Sequence, residues 1–213
     1  MSVRSVLKWR KTLAVIGLCL TPMLLGAATP PLNFVAAEPG FAAASAQYRS
    51  LWCSEGSRII AVLERVSGFS FPASPIEVFV FQGPPMTAYD GRTIWLKASY
   101  PEYYKRATLV HELGHRLAAT MPRTADLDDH RLLYLFLYDA WTELYGAPFA
   151  DRMVQIERRI AGRYDYAGAW DWTLIQTREQ RQARLASLRP ISSNGVTARD
   201  GQSAATPPSC PGV

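Results

Sequence analysis

The sequence predicts an α+β fold with a small β-sheet, and two observations carry this prediction. Apolar residues recur at helical spacing in five segments, whereas only two short segments alternate between apolar and polar residues as strands do. One predicted helix precedes the two strands and four follow them, an order typical of α+β domains. The 213 residues, 48% of them hydrophobic and 19% charged, suit one such domain.

The first 28 residues have the composition of a secretory signal peptide. Residues 1–11 are basic, Thr12–Leu25 is apolar, and small residues precede a cleavage predicted near Ala28. The apolar run is shorter than the ~20 residues of a membrane-spanning helix and contains Pro22, so a retained anchor is the weaker interpretation. We therefore expect an exported protein, periplasmic or secreted, without stable membrane insertion after the signal is removed.

The charge argues against a nucleic-acid partner. The formal net charge is +5, but four of the 23 basic residues lie within residues 1–11, where there is no acidic residue. After residue 28, 19 basic residues face 18 acidic ones, a net charge of only +1. A nearly neutral body lacks the positive surface that a phosphate backbone requires, and the sequence has no basic stripe or zinc-finger spacing.

One helix and two strands are predicted in the first half of the domain. Residues 29–45 are rich in Ala and Pro and are predicted to be a linker. Ala46–Val66 has apolar residues at largely helical spacing and ends before a glycine. Ile76–Phe81 alternates and is β-branched, which predicts a strand. Thr93–Lys97 follows an Asp-Gly turn signal and is short and polar enough for a sheet edge.

Four helices are predicted after residue 100. Tyr103–Ala119 has helical spacing, and the next helix runs from N-cap candidates near Asp128 to Tyr145. That second helix is apolar on every side over residues 132–138, so we expect it in the centre of the domain. Phe149–Ala161 is amphipathic and Thr177–Leu188 is charged, which completes a domain spanning residues 46–189. Between these two helices lies an aromatic group, predicted as a satellite core or alternatively as a stacking surface for substrate: Tyr164, Tyr166, Trp170 and Trp172.

The C-terminal segment and the cysteines are linked in one prediction. Residues 190–213 are rich in Ser, Gly, Thr and Pro, which predicts a disordered tail. Cys53 and Cys210 remain after signal cleavage, and an even pair in an oxidising compartment predicts a disulfide that tethers this tail. Two free thiols are the alternative.

The chemistry-bearing motif is the pentapeptide at residues 111–115, His-Glu-Leu-Gly-His, inside a predicted helix. Histidines four residues apart share one helix face, so His111 and His115 can reach one metal ion. Glu112 points about 100° away, close enough to act on a water molecule beside the metal. The alternative is a helix whose histidines are ordinary core or surface groups.

This motif resembles that of the HExxH zinc metallopeptidases, the zincin superfamily, and the order strand, strand, helix over residues 76–119 extends the resemblance. The subfamily stays unassigned, because Ala118 and Met121 replace the Gly and His of the metzincin extension. The gluzincin order of Glu before Asp is reversed in Asp139 and Glu143, and the flanking motif of the aspzincins is not reproduced.

The resemblance implies a zincin-like fold in which the edge strand Thr93–Lys97 binds extended substrate and precedes the active-site helix. It also implies Zn²⁺ as cofactor and hydrolysis of peptide bonds by a zinc-activated water. Glu112 would be the general base and would return the proton to the leaving amine.

A catalytic zinc site needs a third protein ligand. Asp139 follows the central apolar run, where an unpaired carboxylate costs several kcal/mol, so we predict Asp139 as that ligand. Glu143 lies on the same face and is predicted as the outer partner of an imidazole N–H, although the reverse assignment stays open. His130 is the third candidate. It lies about half a turn round the helix from Asp139, so both are not expected to bind one metal, and a capping or oxyanion-holding role is the other interpretation.

The preferred function is therefore an exported zinc metallopeptidase that acts on a peptide or protein substrate. Two other functions stay open: a catalytically silent, envelope-associated binding protein with a zincin-like shell, and a zinc amidohydrolase acting on cell-wall peptide. A serine nucleophile elbow and a phosphate-binding glycine loop are both absent from the sequence.

Overall fold

The computed structural model describes residues 29–162 and 164–189, which form an α+β domain, as predicted. The elements in chain order are β1 (Leu32–Ala36), α1 (Ala42–Ser67), β2 (Ile76–Phe81), β3 (Met86–Thr87), β4 (Thr93–Lys97), α2 (Glu102–Ala118), α3 (Asp129–Tyr145), α4 (Ala147–Glu157), α5 (Tyr166–Leu174) and α6 (Arg178–Ser187). The predicted signal peptide, the predicted tail and Cys210 lie outside the described residues.

The four strands form one mixed sheet in the order β1-β2-β4-β3. The pairs β1·β2 and β2·β4 are parallel, and β3 runs antiparallel to β4. Since parallel neighbours need a long crossover, α1 connects β1 to β2. Alternate residues of β2 and β4 are completely buried against the helices: Ile76, Val78, Val80, Ile94 and Leu96.

Two predictions about the sheet were wrong. Residues 32–36, assigned to a linker, form β1, because Leu32 and Phe34 bury their side chains while the backbone pairs with β2. Thr93–Lys97 is not an edge strand, since β2 and β3 pair with it on its two sides. Its polar residues alternate with buried ones and therefore belong to the outer face of the sheet. The edge is the two-residue strand β3.

The helix α3 lies in the centre of the domain, as predicted, and contacts α1, α2, α4, α5 and α6. All six residues from 132 to 137 are completely buried. The helix begins where the Asp128 side chain accepts hydrogen bonds from the backbone N–H groups of His130 and Arg131, a standard N-cap.

The helices α2 and α3 approach closely at Gly114. A Cβ atom at this position would lie 2.5 Å from Cδ1 of Leu133, which is itself completely buried. A side chain at residue 114 would therefore push the two helices apart or force Leu133 to repack. The glycine brings the N-terminal turn of α3 near the face of α2 that carries the histidines.

Sequence patterns did not predict α5, which contains part of the aromatic group. Trp170 is completely buried and stacks on Tyr134 of α3 with ring centroids 3.7 Å apart, so this residue does belong to the core. In residues 29–162 and 164–189, none of the helices combines the length and apolar character that crossing a bilayer requires.

Candidate metal centre

Three imidazoles converge between α2 and α3. His111 and His115 lie one turn apart on α2, and His130 is the second residue of α3. One ring nitrogen from each lies within 4.8 Å of the other two, so the three could hold one metal ion. All three histidines of the chain take part.

The nitrogen spacing fits a tetrahedral metal site. The Nε2 atoms of His111 and His115 are 3.1 Å apart. Two ligands of a tetrahedral Zn²⁺ at ~2.0–2.1 Å lie about 3.3 Å from each other, so only a small adjustment separates the two geometries. The donor set is chemically suitable as well, because three neutral imidazoles with an open fourth position make a typical catalytic zinc site.

Glu157, the last residue of α4, determines which nitrogen of His111 is free. Its Oε1 lies 2.7 Å from Nδ1 of His111, and its Oε2 accepts hydrogen bonds from the Tyr134 hydroxyl (2.8 Å) and the Trp170 indole (3.0 Å). Because a carboxylate only accepts, Nδ1 of His111 must carry a proton. The Nε2 lone pair is then available on the side that faces His115. An acidic partner that orients a metal-binding imidazole is a common outer feature of zinc sites.

The protonation states favour lone pairs at the other two histidines. Burial opposes charge on His111, but the Glu157 carboxylate outweighs this and raises the pKa of His111. Burial lowers the pKa of His115 well below its ordinary value, and the neighbouring His111 lowers it further. Burial, together with His111, lowers the pKa of His130 to about 4. His115 and His130 are therefore neutral at physiological pH and able to bind a metal.

Glu112 lies beside the histidines and is held from the sheet edge. The Thr87 hydroxyl, on β3, lies 2.7 Å from Oε2 of Glu112 and 2.9 Å from its backbone carbonyl oxygen. Burial raises the pKa of Glu112, although His111 and the Thr87 hydrogen bond act in the opposite direction. A carboxylate with a raised pKa accepts and releases a proton more readily near neutral pH, as a general base must.

A cleft of about 350 Å³ opens onto this group. The edge strand β3 and Tyr89 form one wall, and Tyr164 and Tyr166 form another. The rings of these last two tyrosines lie 4.8 and 4.6 Å from that of His130. Part of the aromatic group thus borders the cleft, whereas Trp170 belongs to the core.

The structure does not bring Asp139 or Glu143 to the histidines. Oδ1 of Asp139 accepts a hydrogen bond of 2.7 Å from Arg181 of α6, and both side chains are buried. Glu143 pairs with Arg65 and Arg178 near the surface. Arginines satisfy both carboxylates away from the three histidines, so neither the predicted third ligand nor its predicted outer partner lies beside His111 and His115 in this structure.

His130 and Glu157 occupy the positions that the sequence argument gave to Asp139 and Glu143. His130 was the third candidate in the sequence analysis, and it follows an N-cap candidate that starts the next helix. No local pattern marks Glu157, which is 46 residues from His111. Thr87 was also missed, because a two-residue strand has no detectable period.

Comparisons of the chain with models of protein families, with curated proteins and with solved structures found no match.

Proposed function

We propose that the chain is an exported, zinc-dependent peptidase of the HExxH type, with His111, His115 and His130 as metal ligands and Glu112 as general base. The observation that carries the proposal is the convergence of three imidazoles beside one buried carboxylate in an open cleft. Export rests on the sequence of residues 1–28.

A zincin-like interpretation of the fold is supported by the position of β3. This antiparallel edge strand precedes the motif helix and borders the cleft. The side of β3 away from β4 has no partner strand in the described sheet, so an extended peptide could pair with its backbone by β-augmentation. The substrate-binding role proposed from resemblance for Thr93–Lys97 thus passes to Met86–Thr87.

Zn²⁺, when bound, would lower the pKa of water to about 7 and polarise a substrate carbonyl. Three imidazole nitrogens would hold it, and Glu157 would keep the proton of His111 on Nδ1 so that Nε2 stays free. Glu112 would accept a proton from the attacking water at a carboxylate oxygen and pass it to the leaving amine. Thr87 would fix Oε2 during this transfer. Because water itself attacks the carbonyl carbon and the C–N bond breaks as the amine leaves, no covalent bond forms between enzyme and substrate.

The test combines metal content with hydrolysis of a mixed peptide pool. We expect one zinc per chain and peptide cleavage by the natural protein. Glu112→Gln should retain zinc and lose hydrolysis by roughly 10²–10⁴-fold, the usual contribution of a general base. Glu102→Gln is the matched control, because this carboxylate lies on the same helix, exposed and paired with Arg106, and should leave the rate unchanged.

Three outcomes would contradict the proposal. Absence of stoichiometric zinc would remove the metal. Zinc without hydrolysis would favour a silent binding protein, and release of peptide from peptidoglycan without cleavage of ordinary peptides would favour a cell-wall amidohydrolase.

A further inference from the structure

A cavity of about 440 Å³ lies between α1 and the start of α2, outside the candidate metal centre. Among the described residues, it has no lining residue in common with the cleft that the histidines face. Gln47, Ser50 and Ser54 form its α1 wall, since spacings of three and four residues place them on one helix face. Lys105 belongs to its α2 wall. The volume falls within the ~300–1,000 Å³ of pockets that bind small ligands.

Lys105 is a buried cation with little compensation. It is 5% exposed, its ammonium donates to Oε1 of Gln47, and it lies 5.3 Å from the centre of the Tyr48 ring. In residues 29–162 and 164–189, no carboxylate forms an ion pair with it. An ammonium has three N–H donors, and only one of them has an acceptor in this part of the chain. Burying a charge in this way is costly.

A second buried cation shows what full compensation looks like. Arg116 is 3% exposed and, like Lys105, has no carboxylate partner among the described residues. Its guanidinium donates to the carbonyl oxygens of Gly91 and Ser74 and to the Ser74 hydroxyl. These three oxygens satisfy Arg116 within the fold. Lys105 has one oxygen and borders a cavity instead.

Arg106 engages the acidic side chains near Lys105. Glu102, which also lines the cavity, lies 2.7 Å from Nη2 of Arg106, and Glu55 lies 3.0 Å from Nε of the same side chain. Glu102 acts to raise the pKa of Lys105 without pairing with it, but burial outweighs this effect and lowers the pKa. An anion bound in the cavity would therefore stabilise an ammonium that burial destabilises.

The start of α2 adds a second attraction for an anion. Pro101 lines the cavity and precedes this 17-residue helix, and no side chain caps the helix there in the part of the chain that the structure describes. The helix dipole places partial positive charge at this end. On the α1 wall, the exposed Ser50 supplies a hydroxyl that can donate a hydrogen bond.

We propose that this cavity, which we name the lysine cavity, binds a carboxylate or phosphate group through the Lys105 ammonium and the Ser50 hydroxyl. Tyr100 lines both the lysine cavity and a smaller cavity of about 180 Å³ that His111 and Glu112 also line. The anion site and the candidate catalytic group thus have the Tyr100 side chain in common. The bound group belongs to a free anion or to an acidic residue of the substrate, and only the second source rests on the proposed peptidase function.

The first experiment measures binding alone. Titration calorimetry of the full natural chain uses inorganic phosphate and acetate as probes, with a chelator present so that bound metal does not contribute. We expect saturable binding of at least one probe. Lys105→Met should weaken it by about tenfold or more, because the variant removes the charged donor and keeps an unbranched side chain over the Tyr48 ring.

Two further variants make this measurement specific. Lys97→Met is the matched control, because Lys97 is not among the described residues that line the cavity, and its affinity should equal that of the natural protein. Ser50→Asp leaves Lys105 in place and puts a carboxylate at an exposed position of the wall, where it competes with the probe. It should also weaken binding, and it decides the test if Lys105→Met does not fold.

The second experiment identifies the source of the bound group. Peptides with both ends blocked carry Asp, Glu or phosphoserine at varied distances from the cut bond, and are compared with matching Asn, Gln and Ser peptides in the presence of zinc. If the substrate supplies the group, kcat/KM for the acidic peptides should be about tenfold higher, and Lys105→Met should abolish the difference. Without such a preference, the bound group is that of a free anion.

The outcomes separate this inference from the proposed function. Absence of saturable binding of both probes up to about 10 mM, together with equal kcat/KM for acidic and neutral peptides, would overturn the lysine cavity. Equal affinity of the natural protein and folded Lys105→Met would overturn it as well, and so would equal affinity in Ser50→Asp where the lysine variant does not fold. A protein that binds phosphate at Lys105 but cleaves no peptide would overturn the proposed function alone.

Discussion

The two halves of α3 bury polar side chains in different ways. In the first turn, His130 contacts the His111 and His115 rings and two tyrosine rings beside an open cleft. In the second half, Asp139 is equally buried but is bonded to Arg181. Burial alone therefore does not distinguish a candidate ligand from a structural group. A side chain already neutralised by a partner holds the fold together, whereas a cluster of imidazoles facing a cleft remains available for chemistry.

The largest effect is expected for Asp139→Ala, measured as the free energy of unfolding of the zinc-free protein. Removing one partner of a buried ion pair leaves the Arg181 charge without compensation, so stability should fall by about 3–5 kcal/mol. Zinc content at saturating metal should not change. The double variant Asp139→Leu/Arg181→Met should regain much of the lost stability, because the buried charge is then absent. Loss of zinc with unchanged stability would restore Asp139 as a ligand.

His130→Ala should reduce zinc binding more than it reduces stability, which is the opposite of the result expected for Asp139→Ala. Zinc affinity should fall by more than the ~10–100-fold typical of losing an outer partner, because the variant removes a proposed direct ligand. The zinc-free form should lose less stability than Asp139→Ala does. Competition with a chelator measures the affinity, and Arg131→Ala, at the adjacent and more exposed position, is the control. An unchanged zinc affinity in His130→Ala would show that the third ligand lies elsewhere.

The smallest effect is expected for Glu143→Ala, which removes two surface ion pairs. The Arg65 and Arg178 side chains are 59% and 46% exposed, so the loss should stay below about 1 kcal/mol and shrink further in salt. Denaturant unfolding at low and high ionic strength measures it. A loss as large as that of Asp139→Ala would contradict the distinction between buried and surface pairs.

The same variant has a predicted pH dependence. Burial acts to raise the pKa of Glu143, but its hydrogen bonds to Arg65 and Arg178 outweigh burial and lower it. A lowered pKa in the folded state contributes stability above the ordinary glutamate value of about 4.3. The difference between the natural protein and Glu143→Ala should therefore be present at pH 7 and disappear as the pH falls through the lowered pKa.

Local sequence patterns predicted five of the six α-helices of the described residues, most of them because they present an apolar period, and missed α5. The spacing of apolar residues predicted α2, which carries the motif, and α3, which carries the apolar run. The alternation of apolar and polar residues predicted β2. The strand β3 was not predicted, because two residues are too few to show a period. The strand β1 was not predicted, because it forms by pairing with β2, which is distant in the sequence.

The prediction of the site was limited because the sequence does not show which side chains will pair with each other. A buried, unpaired carboxylate at Asp139 would destabilise the fold, and the structure pairs it as expected. The sequence could not reveal that Arg181, 42 residues later, would satisfy it. The same limit hid the contact between Glu157 and His111, which depends on how α4 packs against α2 and α3.

The absence of a side chain at Gly114 affects the geometry of the histidine group as well as the packing of α2 against α3. It sets the separation of two helix axes, and this separation determines whether nitrogens from different helices can be bridged by a single small ion. A methyl group there would touch no ligand, yet it would lengthen the reach required of His130. If the three histidines hold a metal as proposed, a side chain at residue 114 should weaken its retention without contacting it.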